Sequence, residues 1–183
     1  MDDQFEFVRL VGDERRVGRT LASVSRSWRE NEERFVFVSP HDDDVAIGAG
    51  LFIQLARREN VPCHLLVVTD GRMGYCSPEQ KATISDIRRA ETFEAYGKLG
   101  LEEEQINWLG FPDCRLAAYQ GRRPADADDP AAVADFTGMQ NAFTHHLRRI
   151  RPSQVFLPTA ADLHPDHRFV HQELMISLFH AVG

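Results

Sequence analysis

The sequence lacks any apolar run long enough to cross a membrane. A membrane-spanning helix needs about 20 consecutive apolar residues, and no stretch of the 183-residue chain approaches that length. The chain begins Met1-Asp2-Asp3, whereas a secretory leader begins with basic residues before an apolar segment. These absences predict a protein with neither membrane span nor leader, and we expect a cytoplasmic location.

Cysteine is scarce, with three residues in the chain, Cys63, Cys76 and Cys114. An odd number of cysteines at such wide spacings forms neither a disulfide framework nor a C-x-x-C metal clip. Unpaired thiols are typical of a reducing compartment, and we interpret these three as unrelated to one another.

Basic residues are fewer than acidic residues. The chain has 21 Lys and Arg residues against 28 Asp and Glu residues, a formal net charge of −7. The arginine pairs are scattered along the chain, at 15–16, 57–58, 88–89, 122–123 and 148–149. An acidic chain without a basic patch is a poor candidate for binding nucleic acid or an anionic membrane, so we expect neither as a partner.

From Phe35 onward, short apolar runs alternate with segments of helical periodicity. The predicted strands are 35–39, 63–69, 106–109 and 154–158, and the predicted helices are 48–59, 79–99, 131–150 and 167–181. Residues 119–130 are rich in turn formers and predict a surface excursion. Strands that alternate with helices favour βαβ units and a parallel sheet covered on both faces.

The preceding residues, 1–34, are charged and lack strand character. Residues 13–33 predict a single amphipathic helix, so we interpret 1–34 as a helical extension. Because the remaining length suits one packed domain, we assign the functional domain to residues 35–183.

The predicted fold is α/β, a Rossmann-like three-layer sandwich with a mostly parallel sheet of strand order 3-2-1-4. In a doubly wound sheet, the first and fourth strands are neighbours, and a crevice forms beyond their carboxyl ends, at the switch point. The loops after runs 35–39 and 154–158 should therefore meet there. No G-x-G-x-x-G follows the first run, which excludes a nucleotide-cofactor dehydrogenase.

These two loops carry a concentration of imidazole and carboxylate groups, in Ser39-Pro40-His41-Asp42-Asp43-Asp44 and His164-Pro165-Asp166-His167. Two imidazoles and one carboxylate leave an open position for water, as in catalytic zinc sites. We predict that His41 and His167 bind the metal together with an aspartate. Spacing does not choose among the three consecutive aspartates, nor does it exclude His171, one turn after His167.

The neighbouring groups suggest the acid–base chemistry. Asp43 is placed to take a proton from water, and His164 is placed to stabilise an oxyanion or protonate a leaving amine. Asp166 or Asp162 could orient an imidazole. We interpret the remaining histidines, His145, His146 and His180, as ordinary helix residues.

The two motifs resemble those of the PIG-L/LmbE-like N-deacetylases, whose first motif reads His-Pro-Asp-Asp-Glu and whose second matches residues 164–167. The resemblance runs from about Phe35 to about Met175. It also includes Thr69-Asp70-Gly71 with Gly74, Arg88-x-x-Glu91, and Leu109-Gly110-Phe111-Pro112-Asp113.

The resemblance implies a zinc-dependent hydrolase that removes the acetyl group from an N-acetylated amino sugar or sugar conjugate. By position, it implies His41, Asp44 and His167 as metal ligands and Asp43 as general base. It further implies His164 as the acid or oxyanion group, with Arg88 and Asp113 as substrate contacts. The cofactor is expected to be Zn²⁺, with Fe²⁺ or another divalent ion as the alternative.

The sequence departs from the family in three places. The proline after the first histidine is Asp42 here, and the glutamate after the aspartate pair is Val45. Family chains commonly continue past the final helix, whereas this one stops at Gly183. We therefore expect either an open flank or one covered by another subunit, as in a homo-oligomer.

Two other functions remain open on the sequence. The same metal site could serve an esterase or phosphoesterase, although two-metal phosphoesterases usually need more bridging carboxylates. A non-catalytic relative could also retain the site.

Overall fold

The computed structural model describes residues 5–182. Residues 1–4 and 183 lie outside this range, so the expectation drawn from Met1-Asp2-Asp3 is outside the described residues. Within 5–182, no helix combines the length and the apolar character that a membrane crossing requires.

Eight strands and five helices are defined in the described part of the chain. The strands are β1 (Phe7–Val11), β2 (Glu14–Gly18), β3 (Phe35–Ser39), β4 (Cys63–Thr69), β5 (Ile106–Phe111), β6 (Arg123–Pro124), β7 (Phe136–Thr137) and β8 (Gln154–Phe156). The helices are α1 (Leu21–Val24), α2 (Asp44–Arg58), α3 (Ile84–Lys98), α4 (Met139–Ile150) and α5 (Pro165–Ala181).

The central sheet has four parallel strands in the order β5-β4-β3-β8. This order confirms the predicted arrangement 3-2-1-4. Phe35 of β3 is in register with Cys63 of β4 on one side and with Gln154 of β8 on the other. The switch point therefore lies between β3 and β8, at their carboxyl ends.

Alternation along β3 explains the three layers. Because successive side chains of a strand point to opposite faces, Phe35 and Phe37 pack in a core shared with Ile53 of α2. Val36 and Val38 pack in the opposite core with residues of α4 and α5. All five residues of β3 are buried, as expected for a central strand covered on both faces.

The predicted helix over residues 13–33 is wrong. Residues 7–18 form the antiparallel hairpin β1–β2, followed by the four-residue helix α1. Gly12 has φ +58° at the turn, a conformation that two-residue hairpin turns require and glycine adopts readily. Phe7 and Leu21 are buried in the core that contains Phe35 and Phe37.

Helix α4 begins at Met139, later than the predicted start at Ala131. Ala131, Ala134 and Asp135 have φ between 47° and 64°, which is incompatible with a right-handed helix. Gly138, with φ +106°, immediately precedes the helix. Phe136 and Thr137 of this segment instead form β7, which pairs with β6 of the polar excursion.

The arginines are less scattered than the sequence indicated. Arg122, Arg148 and Arg149 line one cleft of about 690 Å³ together with His145 and His180. A basic cleft is thus present on a chain whose net charge is negative.

Candidate metal centre

Three side chains from two distant parts of the chain converge at the switch point. His41 lies in the β3–α2 loop, Asp44 is the first residue of α2, and His167 lies in the first turn of α5. His41 Nδ1 is 3.2 Å from Asp44 Oδ2 and 3.2 Å from His167 Nε2. The third side of the triangle, from His167 Nε2 to Asp44 Oδ2, is 3.1 Å.

The start of α2 fixes two of these groups. The Ser39 hydroxyl donates to the His41 carbonyl at 2.5 Å and accepts from the Val45 backbone N–H at 3.1 Å. The His41 backbone N–H donates to Asp44 Oδ2 at 2.8 Å, and so the Asp44 carboxylate is held toward the His41 side chain. Val45, where the family has glutamate, is buried in the core.

Carboxylates hold the outward nitrogen of each imidazole. Asp162 Oδ2 lies 2.8 Å from His167 Nδ1, and Asp113 Oδ1 lies 3.3 Å from His41 Nε2. Asp166 Oδ2 is also near His41 Nε2, at 3.5 Å. A carboxylate on one imidazole nitrogen directs the lone pair of the other toward a metal and is the usual outer partner of a metal-bound histidine.

The residues present fit a divalent cation. In the neutral imidazoles, protons on His41 Nε2 and His167 Nδ1 would leave lone pairs on the two nitrogens that face Asp44. Three acceptors would then meet within 3.2 Å of one another, which is repulsive unless a positive charge lies among them. Ligands about 2.0–2.1 Å from a tetrahedral zinc ion stand about 3.3–3.4 Å apart, close to the observed separations.

The electrostatics of His41 also indicate a site for positive charge. Burial disfavours the imidazolium and by itself lowers the His41 pKa. Hydrogen bonds to Asp113 and Asp166 outweigh burial, and Asp44 adds to them. Together they raise the pKa of His41 to about 12. In the absence of a metal ion, the carboxylates therefore favour the positively charged imidazolium form of His41.

A second candidate ligand set replaces Asp44 with His164. His164 is the N-cap of α5, and its Nδ1 accepts the Asp166 backbone N–H at 3.2 Å. Because Nδ1 is an acceptor, the proton of the neutral ring is on Nε2, and neither nitrogen has a lone pair available for a metal. The hydrogen bonding therefore favours Asp44.

A third set combines His41 with Asp113 and Asp166 on the opposite side of the His41 ring. The side chains of Asp113 and Asp166 are only 7% and 8% exposed. Backbone N–H groups of Met73 and Cys114 already donate to them, at 3.2 and 3.0 Å. A catalytic metal needs an open position for water, and this buried set offers less room for one.

The structure distinguishes among the three consecutive aspartates and gives His171 a separate position. Of the three consecutive aspartates, Asp44 contacts both His41 and His167. Asp43 is exposed at the N-cap of α2. His171 Nδ1 lies 2.8 Å from the Pro158 carbonyl, which gives that imidazole a different partner.

A cleft of about 370 Å³ opens beside the cluster. Its lining includes Asp43 and His164, the predicted acid–base pair, together with His41. The rings of His164 and His41 are 4.8 Å apart, nearly perpendicular at 83°. Of the three predicted ligands, His41 lines this cleft with the predicted acid–base groups. Asp44 and His167 line a second cleft of about 380 Å³ on the other side of the cluster.

Arg88, a predicted substrate contact, lines the same cleft from α3. Its side chain passes the glycine loop so closely that a Cβ on Gly71 would stand 3.3 Å from Arg88 Cγ. Gly71 also has φ +65°, so glycine serves both the backbone conformation and the close approach. The loop therefore shapes the wall on which Arg88 lies.

Asp113, the other predicted substrate contact, has a different set of neighbours. It is 6% exposed, and its two oxygens face His41 and the Met73 N–H. Its own N–H donates to Asp70 Oδ1 at 3.2 Å. This geometry favours a role in holding His41 over contact with a substrate.

Sequence reasoning missed Asp70, which is 3% exposed. Its Oδ1 accepts the backbone N–H groups of Arg72 and Asp113, and so it ties the loop after β4 to the loop after β5. The signal was present in Thr69-Asp70-Gly71, which follows a strand at the same edge of the sheet.

The fold and this cluster define a doubly wound α/β protein with a candidate divalent-metal site at its switch point. Residues 36–177 match the PIG-L family, described as GlcNAc-PI de-N-acetylase. The chain belongs to this family.

Similar proteins are named as deacetylases. The chain is 27% identical over 178 residues to the 1D-myo-inositol 2-acetamido-2-deoxy-alpha-D-glucopyranoside deacetylase of Kineococcus radiotolerans, covering 89% of this chain and 49% of that protein. It is 29% identical over 148 residues to the 2'-N-acetylparomamine deacetylase of Streptomyces fradiae, covering 75% of this chain and 50% of that protein.

A solved structure shares the fold. The N,N'-diacetylchitobiose deacetylase of Pyrococcus horikoshii, in complex with its inhibitor MPG, aligns with a TM-score of 0.63 and 24% identity. The alignment covers 80% of this chain and 49% of that one. The chain spans about half the length of these relatives.

Proposed function

We propose that this protein is a metal-dependent hydrolase that removes the acetyl group from an N-acetylated amino sugar or sugar conjugate. The observation that carries the proposal is the triangle of His41 Nδ1, Asp44 Oδ2 and His167 Nε2, with sides of 3.1–3.2 Å. The amide bond and the sugar come from membership of the PIG-L family and from the names of the relatives.

His41, Asp44 and His167 would hold the metal, for which we propose zinc. Two imidazoles and one carboxylate also suit ferrous iron, which is the alternative. When bound, such an ion lowers the pKa of water toward ~7 and polarises a carbonyl oxygen.

Asp43 accepts the proton of the attacking water. It is adjacent in sequence to Asp44 and lines the cleft beside the cluster, yet its carboxylate makes no capping bond to α2. A carboxylate that is exposed and not engaged by the helix end is free to exchange protons with a reacting group.

His164 donates a hydrogen bond from Nε2. The Asp166 N–H holds its Nδ1, so the proton of the neutral ring is fixed on the nitrogen that remains. This N–H stabilises the negative charge that develops on the acetyl oxygen, and the proton that Asp43 takes from the water passes to the leaving amine. The products are a free amine and acetate.

Asp162 and Asp113 orient the two imidazoles rather than contact the substrate. Both carboxylates are kept ionised by their surroundings. Hydrogen bonds from the His164 backbone and from His167 lower the pKa of Asp162. Burial raises the pKa of Asp113, but the contact with His41 outweighs it and lowers the value overall.

Acetate release and metal content test the proposal on one sample of the full chain. We expect about one metal ion per chain, together with acetate release from at least one N-acetylated amino sugar. Removal of the metal with a chelator should abolish the release, and added Zn²⁺ or Fe²⁺ should restore it.

Other outcomes of that test assign the site to other functions. Hydrolysis of phosphate or carboxylic esters without acetate release from acetamides would indicate the esterase or phosphoesterase alternative. Stoichiometric metal without hydrolysis of any compound would favour a non-catalytic relative. Both results would contradict the proposed deacetylase activity.

The location proposed for this activity is the cytoplasm. Cys63, Cys76 and Cys114 are all unpaired thiols in the structure, as a reducing compartment would keep them. Association into a homo-oligomer remains a prediction of the sequence.

A further inference from the structure

Asp42 is the residue at which the first motif departs from the family, and it faces the substrate cleft. Its side chain is half-buried and lines the cleft together with Asp43 and Arg88. Asp42 Oδ1 lies 3.6 Å from the point where a Cβ on Gly71 would stand. The carboxylate therefore lies against the glycine loop on the wall that carries Arg88.

The guanidinium of Arg88 already has other partners. Arg88 Nη1 donates to Glu91 Oε2 at 3.0 Å, and Nη2 donates to the Tyr75 carbonyl at 3.4 Å. Within residues 5–182, no side chain donates a hydrogen bond to the Asp42 carboxylate. The backbone N–H of Asp42 donates to its own carboxylate, and Arg88 attracts the carboxylate through space without donating a hydrogen bond to it.

The charged groups that line the cleft are predominantly negative. Asp42, Asp43 and Asp113 contribute three carboxylates, against the guanidinium of Arg88 and the imidazole of His41. Asp113 already faces His41, and Asp43 has the proposed proton-transfer role. Asp42 is therefore the carboxylate that remains available for a ligand.

We propose that Asp42 is a specificity-determining residue that selects substrates with a free ammonium group near the acetamide. This inference rests on the proposed deacetylase function and names its substrate class, an amino sugar that is only partly N-acetylated. A half-buried carboxylate to which no side chain donates forms a charge-assisted hydrogen bond with an ammonium group. It repels a phosphate at the same place.

Two disaccharides that differ in one acetyl group provide the test. Mono-N-acetylchitobiose carries a free ammonium group, whereas N,N'-diacetylchitobiose is neutral. We expect the unmodified protein to have the higher kcat/KM on the first compound. In the Asp42→Asn variant, the ratio of the two kcat/KM values should fall by about tenfold, the equivalent of ~1.4 kcal/mol.

The ratio is independent of the fraction of active protein, so partial misfolding of a variant does not obscure it. Asp42→Pro, which restores the family residue, should lower the ratio in the same direction. Glu104→Gln is the matched control, because Glu104 is an exposed carboxylate in the turn Glu103–Gln105, before β5 and at the opposite edge of the sheet. The control should leave the ratio unchanged.

An unchanged ratio in both Asp42 variants, with acetate still released, would overturn this inference and leave the proposed function standing. Preference of the unmodified protein for the neutral disaccharide or for N-acetylglucosamine 6-phosphate would overturn it as well. Failure of the unmodified protein to release acetate from any of these compounds would instead overturn the proposed function, and this inference with it.

Discussion

At the scale of single residues, a variant of Asp43 should distinguish metal binding from catalysis. We predict that Asp43→Asn keeps the metal, because its carboxylate is not part of the ligand triangle. The variant should lose about 10²–10⁴-fold in kcat, the usual contribution of a general base. Metal analysis and acetate release on the same sample check both parts.

The matched control for Asp43 is Asp128→Asn, which removes an exposed carboxylate in the polar excursion between β6 and β7. It should match the unmodified protein in metal content and in turnover. Loss of the metal from the Asp43→Asn variant would show that Asp43 is a ligand. Undiminished turnover would show that it is not the base.

A variant of Asp162 tests whether this carboxylate orients the imidazole of His167 for metal binding. Its carboxylate lies 2.8 Å from His167 Nδ1, so Asp162→Asn should loosen the imidazole and weaken its basicity. Outer partners of this kind contribute about 10–100-fold to metal affinity. Competition with a chromogenic chelator measures the change, and an affinity equal to that of the Asp128→Asn control would exclude the role.

The sequence predicts which residues meet at the site when the strand order alone brings them together. It does not predict contacts that depend on how the loops pack. The strand order alone brings together His41, Asp44 and His167, because each lies in a loop or at a helix start beyond the carboxyl ends of the strands. Asp113 also lies at that edge, but its partners come from the His41 ring and the Met73 backbone. Nothing in the local sequence indicates those contacts, and the role of substrate contact given to Asp113 came from the family resemblance.

At the scale of elements, Gly138 determines where α4 begins. Its φ of +106° and ψ of 155° lie in a region that is nearly restricted to glycine. A Cβ there would stand 2.4 Å from the Gly121 carbonyl oxygen. We predict that Gly138→Ala lowers the free energy of unfolding by about 2 kcal/mol or more, measured by urea denaturation.

Gly97→Ala is the control for this substitution. Gly97 lies within α3, and a Cβ there would meet nothing within 4 Å. The change should raise the free energy of unfolding by about 0.5 kcal/mol, because alanine restricts the unfolded chain. Equal effects at the two glycines would contradict the account of the α4 start.

The same comparison shows where element prediction from the sequence fails. The strands of the central sheet are identifiable because they are continuous apolar runs that form a buried parallel sheet. The hairpin β1–β2 also had a signal, since the turn-forming pair Gly12-Asp13 separates the two strands. The strands themselves carry no period-two pattern, because Val17 is the one large apolar residue of Glu14–Gly18, and the many charges of residues 13–33 favoured an exposed helix instead.

At the scale of the whole molecule, metal binding should stabilise the fold. The proposed ligands come from the β3–α2 loop, the start of α2 and the start of α5, so an ion held by them would bridge elements more than 100 residues apart in sequence. At a free metal concentration of 100 times Kd, binding to the folded state adds about 2.7 kcal/mol. We predict a higher Tm with added Zn²⁺, measured by calorimetry.

The His167→Ala variant shows whether that stabilisation arises at the proposed centre. It removes one ligand and should lose most of the increase in Tm, whereas Asp128→Asn should retain it. An increase of the same size in the His167→Ala variant would locate the effect elsewhere on the protein.

The most direct test of the metal centre is X-ray absorption at the metal edge, combined with anomalous scattering from crystals of the metal-loaded protein. The account predicts one ion bound by His41 Nδ1, Asp44 and His167 Nε2, with metal–ligand distances of about 2.0–2.2 Å. An ion bound instead by His41 Nε2 with Asp113 and Asp166, or a protein that binds no divalent metal, would contradict it.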